Sequence, residues 1–177
     1  MPPIPTPRAQ GFTSSTPVPL YWAEYGDPEA PPLLLLHGGP GASHDYLLPQ
    51  MLALAEEHRL VAYDQRGGGR SRSDDDRASI GWTDQAADVA QVATELAVEP
   101  LDLVGYSWGG LLAMLYAIAA NAGRLSSAPR RLALIDPAPA TRAYREQFEQ
   151  EFARRQSGPV DHDRVVGGDL QRGRGHG

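Results

Sequence analysis

One serine set among glycines, Gly105-Tyr106-Ser107-Trp108-Gly109, directly follows the apolar run Leu101-Asp102-Leu103-Val104 and precedes a helix-forming stretch, Leu111 to Ala119. Small residues two positions either side of a serine let a strand and a helix approach closely across a tight, strained turn, which presents the hydroxyl at the carboxyl edge of a sheet. The bare pentapeptide is common in loops; the strand before it and the helix after it give it meaning. Ser107 is therefore the candidate nucleophile, against the alternative of an ordinary glycine turn with a capping serine.

Upstream, Pro32-Leu33-Leu34-Leu35-Leu36 runs straight into His37-Gly38-Gly39-Pro40-Gly41. Consecutive leucines suit a strand buried on both faces. Glycines just past its end let backbone N–H groups point into a cavity, and a second N–H from the residue after the nucleophile completes an oxyanion hole. Gly39 and Trp108 are the expected donors, Gly39 being preferred to Gly38. His37 is expected to be a hydrogen-bonded loop histidine, because the base in such an arrangement comes late in the chain.

The rest of the chain supplies alternating strands and helices. Residues 1–7 form a proline-rich arm, and Leu20 to Pro28 reads as a strand ending in a turn, the antiparallel edge of a mixed sheet. The strand at Leu33 to Leu36 is followed by a helix near Asp45 to Glu57 and a strand at Leu60 to Tyr63. Thr83 or Asp84 can cap a helix that carries Val89, Val92, Ala93 and Leu96 on one face and is stopped by Pro100. Arg131 to Asp136 is a further short strand. This alternation predicts a mostly parallel sheet with helices on both faces.

The loop from Asp64 to Asp76 contains Gly67-Gly68-Gly69 between arginines, but a phosphate-binding P-loop needs a lysine, and this chain has none. Its expected role is structural, with Asp64 and Arg66 bracing neighbouring backbone. Tyr144, Phe148 and Phe152 recur every fourth residue, which places them on one face of a helix over about 141–155. From Ser157 onward apolar periodicity disappears. The expected organisation is thus a core over 1–140, the start of a cap or lid over 141–156, and a disordered or non-native tail over 157–177.

His-Gly-Gly-Pro-Gly at 37–41, Asp64-Gln65-Arg66-Gly67-Gly68-Gly69-Arg70-Ser71, and Gly105-Tyr106-Ser107-Trp108-Gly109-Gly110 together resemble the proline iminopeptidase family. The resemblance covers roughly residues 18–140. It implies the N-terminal portion of an α/β-hydrolase fold and a serine peptidase that removes an N-terminal residue, often proline, from short peptides. It also implies a C-terminally truncated chain, which stops before the family's acid and histidine.

A serine hydroxyl is a weak nucleophile until a histidine takes its proton and an acid orients that histidine. Beyond Ser107 the histidines are His162 and His176, both in the glycine-rich tail, and Asp136 at the end of the next strand is a conceivable acid or a cap for the turn at Pro137. The expected reaction is acyl transfer to Ser107, with no metal or organic cofactor and a peptide or small acyl compound as substrate. An esterase or lactonase using the same serine, and a catalytically incomplete fragment lacking the triad acid and histidine, are the competing readings.

Net charge is −6, and the 16 basic residues are all arginine and scattered, so no nucleic-acid partner is expected. Absence of cysteine excludes a disulfide framework and a thiol nucleophile. No signal peptide or membrane-spanning run is evident, and a cytoplasmic protein without membrane partners is the expectation.

Overall fold

The computed structural model describes residues 4–72 and 80–141, together with 143, 144, 146 and 150. Among the described residues six strands form one sheet: β1 (Ala9–Phe12), β2 (Tyr21–Tyr25), β3 (Pro32–Leu36), β4 (Arg59–Tyr63), β5 (Asp102–Tyr106) and β6 (Arg131–Ile135). Their spatial order is β1-β2-β4-β3-β5-β6. The pairs β1–β2 and β2–β4 are antiparallel, and β4–β3, β3–β5 and β5–β6 are parallel. The mixed, mostly parallel sheet expected from the alternation of elements is present, with its antiparallel strands at the N-terminal edge.

Alternate residues of β3 feed the two sides of the sheet, as a period of two demands. Leu34 and Leu36 pack with Val61, Tyr63 and Leu103 against α2 (Trp82–Glu95) and α3 (Trp108–Asn121). Leu33 and Leu35 join Tyr25, Leu60 and Val104 on the opposite side, where Leu47, Leu48, Met51 and Leu52 cover them. A leucine in every position of that run is what burial on both faces requires. Fully burying each such side chain stabilises the fold by about 1.5–3 kcal/mol, so β3 is the keel of the molecule.

Three elements differ from expectation. The edge strand is β1, a four-residue segment whose ladder with β2 runs from Ala9↔Glu24 to Phe12↔Tyr21. The single helix expected near Asp45 to Glu57 is instead a 3₁₀ turn at His44–Tyr46, one α-turn α1 (Leu48–Met51) and a second 3₁₀ stretch at Leu52–Glu56. Pro49 explains the break, because it has no N–H to give to the Asp45 carbonyl and the helix must restart around it. Finally, α2 begins two or three residues earlier than Thr83 or Asp84 would set it. Gly81 is its N-cap with no side-chain bond, and Asp84 lies in the first turn, where a carboxylate favours the helix dipole.

The α2 face is as its spacing predicts: Val89, Val92 and Ala93 are buried and Leu96 packs against the same cluster. The strand β6 has all five residues exposed, Leu132 and Leu134 among them at 38% and 39%. The chain divides into two units after Ala138. In the second unit residues 143, 144, 146 and 150 are helical, and Tyr144 is exposed with its N–H on the Thr141 hydroxyl at 3.2 Å. Phe148, Phe152 and the tail over 157–177 lie outside the described residues. No helix among the described residues is long and apolar enough to cross a membrane.

Candidate functional site

Ser107 stands between β5 and α3 with φ 51° and ψ −115°, a left-handed backbone that non-glycine residues rarely adopt. Three hydrogen bonds hold it there. Its N–H donates to the Ile135 carbonyl at 3.0 Å, and its own carbonyl accepts from Leu111 N–H at 3.1 Å and Ala138 N–H at 2.9 Å. The side chain makes no capping bond to α3. That disposes of the capping-serine alternative and leaves the hydroxyl uncommitted to the helix.

The flanking glycines are required by contact. A Cβ on Gly105 would fall 2.5 Å from the Gly109 carbonyl oxygen and 2.7 Å from the Gly110 Cα, and one on Gly109 would fall 2.6 Å from the His37 carbonyl oxygen. Strand, turn and helix are therefore as close as backbones allow, and Gly109 is pressed against the end of β3. The two loops singled out by sequence meet there.

Gly39 lies on the exposed loop after β3 with φ 146°. Trp108 opens α3, where the first N–H groups of a helix have no intrahelical acceptor. Among the described residues no acceptor takes the N–H of either. Gly38 differs, because its N–H is given to the Tyr46 hydroxyl at 2.8 Å. The Trp108 indole is fixed from the side: its Nε1–H donates to Gln85 Oε1 at 2.9 Å, and Gln85 Nε2 in turn donates to the Ile80 carbonyl at 3.1 Å.

His37 is fully buried and has both ring nitrogens engaged. Nδ1–H is directed at the Gly38 carbonyl at 2.5 Å, and Nε2 accepts the Gln65 N–H at 2.9 Å. Burial pushes its pKa below the ordinary 6.5. It is a structural histidine that ties the β3 loop to the β4 loop, as expected.

Asp64, buried at the end of β4, accepts from His44 Nδ1 at 2.7 Å, His44 N–H at 2.9 Å and Arg70 N–H at 2.8 Å. Burial alone would raise its pKa, but these hydrogen bonds outweigh it and hold the carboxyl at about 2. Asp64 thus braces backbone, as its motif predicted. Arg66 instead makes a buried two-pronged pair with Asp88 of α2, at 2.6 Å for both bonds.

Sequence reasoning missed Tyr46, Gln85 and the His44–Asp64 pair. His44 and Tyr46 stand just past the glycine loop, and their proximity to it was the available signal. Gln85 gave none. Asp136 follows β6 at φ 43°, exposed, and among the described residues no donor reaches its carboxylate. His162 and His176 lie outside the described residues.

The sequence pattern of the α/β hydrolase fold matches residues 31–165. A proline iminopeptidase of Lactobacillus delbrueckii subsp. lactis is 41% identical over 88 residues, which are 48% of this chain and 30% of that enzyme. The chain spans between 30% and 33% of the length of the curated relatives it matches. Among solved structures, a proline iminopeptidase-related protein of Thermus thermophilus superposes with a TM-score of 0.63 at 27% identity, over 73% of this chain and 44% of that one. A bacterial membrane phospholipase A superposes with a TM-score of 0.63 at 35% identity, over 81% of this chain and 45% of that one. With its nucleophile-type turn, its mostly parallel sheet and a family match over most of its length, the chain belongs to the α/β-hydrolase fold family.

Proposed function

We propose that this protein is a serine hydrolase working by acyl transfer, with Ser107 as nucleophile and the N–H groups of Gly39 and Trp108 as oxyanion donors. The observation that carries the reading is the serine's backbone: a non-glycine residue at φ 51°, held by three hydrogen bonds, with its hydroxyl unused for capping. Strain of this kind costs on the order of 1–3 kcal/mol and persists where the surrounding structure over-determines it. Ser107 Oγ attacks the scissile carbonyl as its proton passes to a general base, the carbonyl electron pair moves onto oxygen where fixed donors meet the charge without reorganising, and the base returns the proton to the departing amine or alcohol. Engagement of the Gly38 N–H by Tyr46 supports Gly39 as the loop donor. None of the described histidines is assigned as base: His37 has both nitrogens bonded, the Nε2 of buried His44 faces Asp45 at 3.6 Å and makes no bond to Ser107, and His58 precedes β4 at the opposite end of the parallel strands.

Within that class we read the activity as removal of an N-terminal residue, often proline, from short peptides, supported by the iminopeptidase relatives. Ester hydrolysis is the second reading, favoured by the likeness to the phospholipase A. Covalent labelling by a fluorophosphonate, read by intact mass with Ser107→Ala as control, tests the nucleophile. Turnover of proline nitroanilide against a nitrophenyl ester separates the two substrate classes, since the second reading expects ester cleavage alone.

A further inference from the structure

The Tyr46 hydroxyl and the Ser107 side chain converge on one point above the β3 loop. A Cβ placed on Gly38 would lie 2.6 Å from the Tyr46 hydroxyl oxygen, 3.2 Å from the Ser107 Cβ and 3.2 Å from Tyr106 Cδ1. The missing side chain at Gly38 therefore leaves room that a tyrosine hydroxyl occupies next to the serine. Tyr46 is fixed there by two contacts. Its oxygen accepts the Gly38 N–H at 2.8 Å, and its ring meets Tyr106 edge-on with centroids 6.2 Å apart and planes at 67°.

A phenol carries one proton to donate and two lone pairs to accept with. One lone pair of Tyr46 holds the Gly38 N–H, while among the described residues nothing accepts its proton. Accepting from an amide polarises the O–H and strengthens it as a donor. Tyr46 is 42% exposed, so the residue reaches solvent while its hydroxyl lies beside the serine.

We propose that Tyr46 is a third hydrogen-bond donor to the oxyanion formed at Ser107. The proposal rests on the reading of Ser107 as nucleophile. The hydroxyl passes on the polarity of the Gly38 N–H, so that the amide acts on the oxyanion through Tyr46 while Gly39 and Trp108 act directly. No proton is transferred: the O–H hydrogen stays on Tyr46 and its hydrogen bond shortens as charge develops on the substrate oxygen. Burial, with the neighbouring Tyr106 and against the Gly38 bond, moves the phenol pKa above its ordinary value of 10.0, which keeps the proton in place at neutral and mildly alkaline pH.

The test is the rate of phosphonylation of the full chain by an alkyl fluorophosphonate, in which the Ser107 Oγ–P bond forms, the P–F bond breaks, fluoride leaves and the hydroxyl proton is released to solvent. Progress curves at several probe concentrations separate kinact from KI. Removing one oxyanion donor costs on the order of 100-fold, and a neutral third donor somewhat less, so Tyr46→Phe should lower kinact by about 10- to 100-fold. KI should match the wild type, and the thermal midpoint should fall only by the loss of the Gly38 N–H bond, with cooperative unfolding kept. A Tyr46→Phe protein that labels at the wild-type kinact, or that no longer unfolds cooperatively, makes Tyr46 a staple of its loop and overturns the proposal. Absence of labelling in the wild type, or labelling that survives Ser107→Ala, instead removes the nucleophile assignment beneath it.

Discussion

Trp108 is tied to Gln85 through a 2.9 Å hydrogen bond from indole to side-chain amide, which links the first residue of α3 to the first turns of α2. The bond fixes the side chain of the residue whose backbone N–H is the proposed oxyanion donor, so the position of that donor depends partly on a helix remote in sequence. Gln85→Leu should remove two neutral hydrogen bonds, from the Trp108 indole and to the Ile80 carbonyl, at a cost of about 1–3 kcal/mol. Red-shifted Trp108 emission and a several-fold slower fluorophosphonate reaction are the expected signs. Unchanged labelling would show that the indole is not what orients the N–H.

Backbone strain at Ser107 predicts an inverse relation between activity and stability. Glycine adopts φ 51° without steric cost, so Ser107→Gly should abolish labelling and raise stability by about 1 kcal/mol. Ser107→Ala should abolish labelling without that gain, because the Cβ that causes the strain remains. Urea midpoints of the two variants make the comparison, and equal midpoints would refute the strain argument.

Gly109 has backbone where a side chain would go, and the opposing atoms belong to the end of β3. Gly109→Ala should force strand and helix apart and destabilise by about 1–3 kcal/mol. The same methyl at Gly41, where no atom lies within 4 Å, meets no such obstacle, although its φ of 87° adds local strain. Thermal unfolding of the two variants should rank Gly109→Ala as the more damaging.

How much of this was legible beforehand depended on range. The turn at Ser107 could be read because its steric demands fall on fixed neighbours, Gly105 and Gly109, and the leucines of β3 declared their two-sided burial by having no polar alternation. Strand β1 was missed because Ala9-Gln10-Gly11-Phe12 has no strand signature of its own and is ordered by pairing with β2. The broken helix around Pro49 was predictable in principle, since a proline four residues into a helix removes one bond of the ladder. Tyr46 over Gly38, His44 on Asp64 and Gln85 on Trp108 join residues 8, 20 and 23 positions apart. No periodicity connects such pairs; only the packed loops do.

Acid should unfold the protein in two stages. His37 has a folded-state pKa below its ordinary 6.5, so the unfolded chain takes up a proton first and stability falls as pH drops beneath that value. Asp64 behaves in the opposite sense to a histidine gaining a charge partner: its carboxyl is held at about 2 against an ordinary 3.8. Its contribution, about 2 kcal/mol, is complete above pH 4 or so and is lost as pH falls towards the folded value. Glu95, also held at about 2 despite opposing desolvation, by hydrogen bonds from Ser15 and Ser14, titrates in the same lower window. Thermal midpoints from pH 7 to pH 2 should therefore show an upper step removed by His37→Gln and a lower step reduced by Asp64→Asn.

The Ser107 N–H bond to Ile135 gives the exposed strand β6 a second consequence. Edge strands fray more readily than central ones, and each opening of the last rung would release the amide that sets the serine's tilt. Hydrogen exchange at Ser107 is thereby coupled to the breathing of β6. The steadiness of the proposed nucleophile is inherited from β6, the outer strand among the described residues, and whatever shields that strand also sharpens the serine's aim.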